Sequence, residues 1–104
     1  MIQFHMLTRE KKVCDGIADI ILKDNYSKDI RIEEMIQQEW DATSQKRREL
    51  MFYRITCLMK STLFTPLVSE VTEKYGTEPR MFSLPVTQIE DDWAMEIRNS
   101  TRKI

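Results

Sequence analysis

The chain has 104 residues, of which 41% are hydrophobic and 32% charged, with only two glycines and three prolines. This composition excludes a disordered chain and predicts a single domain over residues 1–104 with one hydrophobic core. The net charge of −1 argues against a uniformly basic nucleic-acid binder, so any contact with phosphates has to come from a local basic patch.

Cysteine use and hydropathy indicate the compartment. Cys14 and Cys57 both lie in apolar runs, which predicts two buried thiols rather than a disulfide or a metal clamp. No apolar run is long enough to cross a membrane, and the opening residues do not look like a secretory leader. We therefore expect a soluble cytoplasmic protein that makes no membrane contact.

Charge is distributed unevenly along the middle of the chain. Residues 44–60 carry five cations and one anion, a local charge of +4, whereas residues 29–41 carry five anions and one cation, a local charge of −4. These neighbouring stretches of opposite charge predict separate positive and negative patches.

The first predicted element is a helix from Thr8 to about Lys23. Thr8 is suited to the N-cap position, and apolar residues then recur at spacings of three and four. The predicted core face consists of Val13, Cys14, Ile17, Ile20 and Ile21. His5 precedes this helix, near the N-terminus and without a partner at a useful spacing, so we expect it to have no catalytic role.

Two further helices are predicted after a polar break at 24–29 and a possible short strand "DIRI". A helix over 32–40 would align four apolar residues, and the turn "DATS" would lead into a third helix over 44–61. The four aligned residues are Ile32, Met35, Ile36 and Trp40. This third helix would combine a basic start with a broad apolar face.

The segment from 63 to 86 has two interpretations. Thr65 and Pro66 resemble the start of a helix that ends at Gly76. Alternatively, 67–75 is the first strand of a hairpin whose second strand is "RMFSLPV" at 80–86. The hairpin is the favoured interpretation, and the helix remains open.

The chain ends in a predicted helix over about 87–102. Thr87 and Glu90 have the spacing of a capping box. Ile89, Trp93 and Ile97 then form a narrow apolar stripe, which could pair with the same helix of a second copy.

This element order resembles that of winged helix-turn-helix domains. The segment "IRIEEMI" resembles the strand that leads into the second helix, "RRELMFYRITCLMKSTLF" the third helix, and "RMFSL" the returning wing strand. The resemblance covers about residues 8–86. It implies an α+β, mostly helical fold, a winged helix-turn-helix with a C-terminal helix; an all-α domain of five helices is the alternative.

The resemblance implies a small DNA-binding transcriptional regulator, with the third helix in the major groove of double-stranded DNA and the wing at 65–86 on the backbone. Such proteins are commonly dimers, and the Ile89, Trp93 and Ile97 stripe is the predicted interface. The residues expected to contact DNA are Lys46, Arg47, Arg48, Tyr53, Arg54, Thr56, Lys60, Lys74 and Arg80.

The alternative function is a protein–protein interaction module, or a small inhibitor that binds a larger protein without nucleic acid. Its contact patches would be the acidic segment 29–41 and the acidic start of the last helix. No catalytic residue, cofactor or metal is predicted, because the sequence has neither a phosphate-binding glycine loop nor a Cys/His cluster. We therefore expect that the protein is not an enzyme.

Overall fold

The computed structural model describes residues 1–103. Its elements, in chain order, are β1 (Ile2–Thr8), α1 (Lys11–Lys23), β2 (Arg31–Asp41), β3 (Lys46–Met59), α2 (Phe64–Tyr75), β4 (Arg80–Pro85) and α3 (Asp91–Ser100). A single 3₁₀ turn, Ser61–Leu63, leads into α2.

The four strands form one antiparallel sheet in the order β2-β3-β1-β4. Since β3 lies between β1 and β2 and is antiparallel to both, β1 and β2 run parallel and are joined through α1. This is the split β-α-β arrangement of ferredoxin-like folds. It is a mixed α/β structure, so the predicted mostly helical winged helix-turn-helix, with its all-α alternative, is wrong.

The core forms on the inner face of the sheet, the face that α1 and α2 cover. Phe4 and Met6 of β1 lie opposite Cys57 and Ile55 of β3, and all four side chains are at most 1% exposed. The two helices contribute equally buried apolar side chains: Ile17, Ile21, Leu67 and Val71. Side chains alternate between the faces of a strand, so the neighbours of these residues point to the outer face.

Both central helices of the prediction are strands. Residues 32–40 belong to β2 and residues 44–61 mostly to β3. Ile32, Ile36 and Trp40 are spaced by four, and that spacing puts side chains on one face of a strand as well as of a helix. Long-range pairing, such as that of β3 with β1, decides between the two.

The N-terminal strand β1 was missed, and it lies before the predicted winged-helix core at 8–86. The run "IQFHMLT" is buried through almost all of its length, because β1 sits between β3 and β4. A strand that is covered on both sides and at both edges shows little apolar alternation.

The other elements agree more closely with expectation. The predicted first helix is α1, although it begins at Lys11, and Thr8 instead ends β1. The helical alternative for 65–75 is correct and the first wing strand is wrong. The returning strand is β4 and the last helix is α3, but α3 begins after Glu90 without a side-chain cap.

The hairpin of β2 and β3 extends beyond the rest of the sheet. β1 pairs with β3 only from Tyr53 to Met59, whereas β2 and β3 remain paired out to Asp41 and Lys46. Residues 35–52 therefore form a two-stranded projection, called the arm below. The arm accounts for the elongated dimensions of the chain, 52 × 30 × 19 Å.

Candidate functional site

The residues predicted to bind DNA do not share a surface. Lys46, Arg48, Arg54 and Thr56 have the outward parity of β3, whereas Arg47 and Tyr53 have the inward parity. Lys74 lies on α2 and Arg80 on β4. Within residues 1–103, the predicted recognition helix at 44–61 is mostly the strand β3, and the predicted first wing strand is the helix α2. The predicted DNA-binding regulator and its DNA partner are therefore wrong.

The charge patches of the sequence neutralise each other across the hairpin. The acidic segment is β2 and the basic segment is β3, so opposite charges face one another in the ladder. Arg54 bonds Glu33 at 3.0 Å and Arg48 bonds Glu39 at 2.9 Å, and the second contact holds the pKa of the Glu39 carboxyl below its ordinary value. Neither the basic patch nor the acidic patch at 29–41 survives as a separate surface.

Lys60 holds the C-terminal segment in place. Its ammonium group donates to the carbonyl oxygens of Thr101 and Arg102, at 3.2 and 3.0 Å. The guanidinium of Arg102 in turn lies over the Tyr26 ring, 4.6 Å from its centroid. The position of Lys60 is therefore explained by packing of the chain on itself.

The stripe predicted as a dimer interface is divided between the core and a cleft. Ile97 is only 4% exposed within its own chain, while Trp93 is 44% exposed. Ile89, which is half-buried, lines a cleft beside Trp93. The three residues do not form one free helix face.

The hairpin of β2 and β3 carries an exposed apolar surface on its inner face, whose residues the sequence pattern assigned to the apolar faces of two helices. Ile32, Ile36, Trp40 and Met51 are between 46% and 63% exposed and share the inner face of the hairpin. We call these four residues the arm stripe. It continues the core beyond Ile55, past the point where α1 and α2 stop covering the sheet. The sequence feature that indicated this stripe is the spacing of four between Ile32, Ile36 and Trp40.

A cleft of about 510 Å³ opens on the outer face of the sheet. Three strands contribute to it, through Gln3, Arg31, Thr56, Cys57 and Leu58. The segment after β4 and the first turn of α3 contribute the rest, Val86, Gln88, Ile89, Glu90 and Trp93. The cleft thus combines apolar side chains with groups of both charges.

His5 lies on the same outer face of the sheet, opposite Thr56, and is 8% exposed. Its ring stacks on Phe82 with centroids 4.5 Å apart, and its Nε2 is 3.1 Å from the Gln3 side-chain oxygen. Burial, followed by the nearby Arg54 charge, lowers the pKa of His5. Within residues 1–103, its Nδ1 is buried without a hydrogen-bond partner.

Both thiols are buried and unpaired, as predicted. Burial raises the pKa of Cys14, and it raises the pKa of Cys57 to about 12. The two thiols therefore stay protonated near neutral pH and are poor metal ligands. In the part of the chain that the structure describes, no three His, Cys, Asp or Glu side chains are grouped to hold a metal ion.

No family model matches this chain, and no curated protein matches it. Its structure, in contrast, resembles solved structures over nearly its whole length. CutA1 from Pyrococcus horikoshii superposes with a TM-score of 0.81 at 16% identity, covering 99% of this chain and 100% of that one. The chain has the CutA1 fold.

Other structures of this fold come from distant organisms. CutA1 from Oryza sativa has a TM-score of 0.80 at 17% identity, over 99% of this chain and 94% of that one. The periplasmic divalent cation tolerance protein CutA from Archaeoglobus fulgidus has a TM-score of 0.77 at 16% identity, over 96% and 98%. These likenesses establish the fold, which is not a winged helix. None of these descriptions mentions a reaction.

No helix among residues 1–103 is long and apolar enough to cross a membrane.

Proposed function

We propose that this chain acts in divalent cation tolerance, as a non-catalytic assembly of several copies. The agreement of the CutA1 fold along both whole chains carries the first part of the proposal. Proteins of this fold from Thermus thermophilus and Archaeoglobus fulgidus are described as divalent cation tolerance proteins. Fold alone does not determine function, so this part depends on a test in cells.

The arm stripe supports the assembly part of the proposal. Its four large apolar side chains, three on the arm and Ile32 at the base of the arm, are each about half exposed on a face that the chain itself does not cover. Contiguous exposed apolar surface of this kind is typical of interaction sites. A second copy suits this surface, because the near-zero net charge gives copies little reason to repel one another and most soluble oligomers are homo-oligomers.

The donor groups of one chain do not fit a divalent cation site. The two thiols are protonated and buried, and within residues 1–103 the single histidine belongs to no group of three His, Cys, Asp or Glu side chains that could hold a metal ion. The proposed role therefore includes no step in which one chain holds a cation by itself.

Growth under cation stress tests the tolerance role. Cells lacking this protein should be more sensitive than the parent to raised divalent copper or zinc, and expression of the chain should restore growth. Equal growth of deletion and parent strains across the whole series of copper and zinc concentrations would exclude the role. Osmotic stress serves as the control, since it should affect both strains alike.

Sedimentation of arm variants tests the assembly. We expect the native chain to sediment as an oligomer and Trp40→Glu with Ile36→Glu to sediment as a folded monomer, because two charges would be buried in the contact. The control, Gln37→Glu, places a charge on the same strand but on the opposite face, away from the arm stripe. A native chain that stays monomeric at high concentration would contradict the assembly while leaving the growth test unaffected.

We further propose a cytoplasmic location. Two free, buried cysteines are typical of proteins from reducing compartments. The Archaeoglobus fulgidus protein is described as periplasmic, so the periplasm is the alternative location. Cell fractionation with antibody detection decides between them: the protein should be found with cytoplasmic markers, and its recovery with periplasmic markers would refute this location.

A further inference from the structure

We propose that the outer-face cleft is a binding site for a free aromatic α-amino acid. This inference stands apart from the tolerance role, since it concerns a different surface from the arm. The cleft has a volume of about 510 Å³, within the range of sites for small molecules. Its lining supplies the three kinds of contact that such a ligand requires.

A guanidinium group is available for the ligand carboxylate. Arg31 lines the cleft, and its side chain is 61% exposed. Among residues 1–103 its ion-pair partner is Asp29, and the two charged groups are 4.0 Å apart. This separation leaves the donors of the planar guanidinium open for a bidentate bond to a carboxylate.

A carboxylate of opposite charge lines the same cleft. Glu90 is exposed, forms no ion pair within the described residues, and precedes α3 without capping it. A ligand ammonium group would complement it. Because Arg31 and Glu90 line one cleft, a ligand that carries both charges would be complementary to it, whereas a simple anion or cation would leave one of the two groups unmatched.

The remaining lining suits a flat apolar side chain. Trp93 presents a half-exposed indole, and Leu58, Val86 and Ile89 add aliphatic surface. An aromatic ring stacked on an indole gains roughly 0.5–1.5 kcal/mol beyond the burial of area. The amides of Gln3 and Gln88 supply further hydrogen-bonding groups at the cleft.

Titration calorimetry of the full chain with L-phenylalanine tests the site. We expect saturable binding at one site per chain. Phenylpropionate lacks the ammonium group and phenethylamine lacks the carboxylate, so each should bind at least ~10-fold more weakly, the loss expected for one charge-assisted hydrogen bond. L-alanine, which lacks the ring, should also bind weakly.

Variants assign the binding to the cleft. Arg31→Gln and Glu90→Gln should each weaken L-phenylalanine binding by about 10-fold or more, with an unchanged circular dichroism spectrum. The controls Arg98→Gln and Glu73→Gln alter exposed charges outside the cleft lining and should bind like the parent. The indole N–H resonance of Trp93 should shift on binding, while that of Trp40 on the arm should not.

Three outcomes would overturn the proposal. The first is the absence of saturable heat with millimolar L-phenylalanine. The second is binding that neither Arg31→Gln nor Glu90→Gln weakens. The third is equal affinity for phenylpropionate, which would show that the zwitterion is not recognised.

Discussion

Gly16 of α1 lies directly against the ring of Tyr75 at the end of α2. A Cβ atom on Gly16 would come within 2.9 Å of Tyr75 Cζ and closer still to its hydroxyl oxygen. Tyr75 packs against the core, so its ring has limited room to move. The absence of a side chain at residue 16 is therefore what permits the close approach of the two helices.

Gly16→Ala should lower the free energy of unfolding by about 1 kcal/mol, because overpacking outweighs the helix propensity gained. Urea unfolding measures the change. In a Tyr75→Ala background the same substitution should become stabilising by up to ~1 kcal/mol, since only the propensity term remains. Destabilisation of equal size in both backgrounds would show that contact with Tyr75 is not the cause.

Tyr26 is a second residue whose chemistry depends on packing. It is 1% exposed, and its hydroxyl donates to Glu70 at 2.9 Å. Burial, followed by the hydrogen bond to Glu70, raises the pKa of Tyr26 from 10.0 to about 12. The folded state therefore favours the protonated phenol more strongly than the unfolded chain does.

Stability should decline at alkaline pH for this reason. The contribution of Tyr26 to the free energy of unfolding is complete below pH 10. It is lost as the pH rises toward about 12, because the phenol of the unfolded chain releases its proton first. Urea unfolding over this range should show a shallower decline for Tyr26→Phe than for the parent. Cys57 contributes in the same direction in the parent and in the variant, so the difference between their two curves reports Tyr26. Parallel curves for parent and Tyr26→Phe would contradict the assignment.

At the scale of elements, α3 is held by a side chain that precedes α2. Lys60 donates to two carbonyl oxygens just beyond the end of α3. Cations near a helix C-terminus also interact favourably with its dipole. A local sequence pattern could not reveal this contact, since 41 residues separate Lys60 from Thr101.

Lys60→Met should loosen α3 while the sheet remains intact. We expect faster hydrogen exchange at the amides of 91–100 and a loss of roughly 1 kcal/mol in the free energy of unfolding, the scale of one partly exposed hydrogen bond. Lys12→Met on the exposed face of α1 is the matched control. Unchanged exchange in α3 would show that other contacts hold it.

Element identity could be predicted only where one periodicity was possible. In α1, Val13, Cys14 and Ile17 include adjacent residues and a spacing of three, which a strand cannot place on one face. In β3, Met51, Ile55 and Met59 are spaced by four, a pattern that fits both structures. Tyr53 and Cys57 lie at the odd positions between them, and this period of two is typical of a strand. The surrounding residues have high helix propensity, however, and favoured the incorrect prediction of a helix.

For the whole molecule, the arm should be dispensable for folding but required for assembly. None of the buried core residues lies in 35–52. A variant that replaces 35–52 by Asn-Gly, a favoured two-residue hairpin turn, should keep the circular dichroism and cooperative unfolding of the parent and sediment as a monomer. The full-length Gln37→Glu chain, with its added charge on the opposite face of the arm, is the control for oligomer size. Loss of cooperative unfolding would show that the arm belongs to the core.

Neither candidate site, the outer-face cleft or the arm stripe, could be located from the sequence. The cleft combines residues from three strands, a loop and α3, and only the sheet order places Gln3 near Arg31. The arm stripe was visible as an apolar pattern, yet its exposure depends on where α1 and α2 stop covering the sheet. Both sites depend on contacts between residues distant in sequence.

From the amino-acid sequence alone follow the near-neutral charge, the buried thiols, and the two elements whose periodicity fits one structure only, α1 and β4. A spacing of four fits both helix and strand, so the strand identity of 31–41 and 46–59 depends on tertiary contacts: the pairing of 46–59 with β1 and the pairing of the two stretches with each other. That pairing also cancels the opposite charges of the two stretches. The segment predicted as a recognition helix is therefore a strand that forms one side of the arm, because hydrogen bonds between strands override local helix propensity.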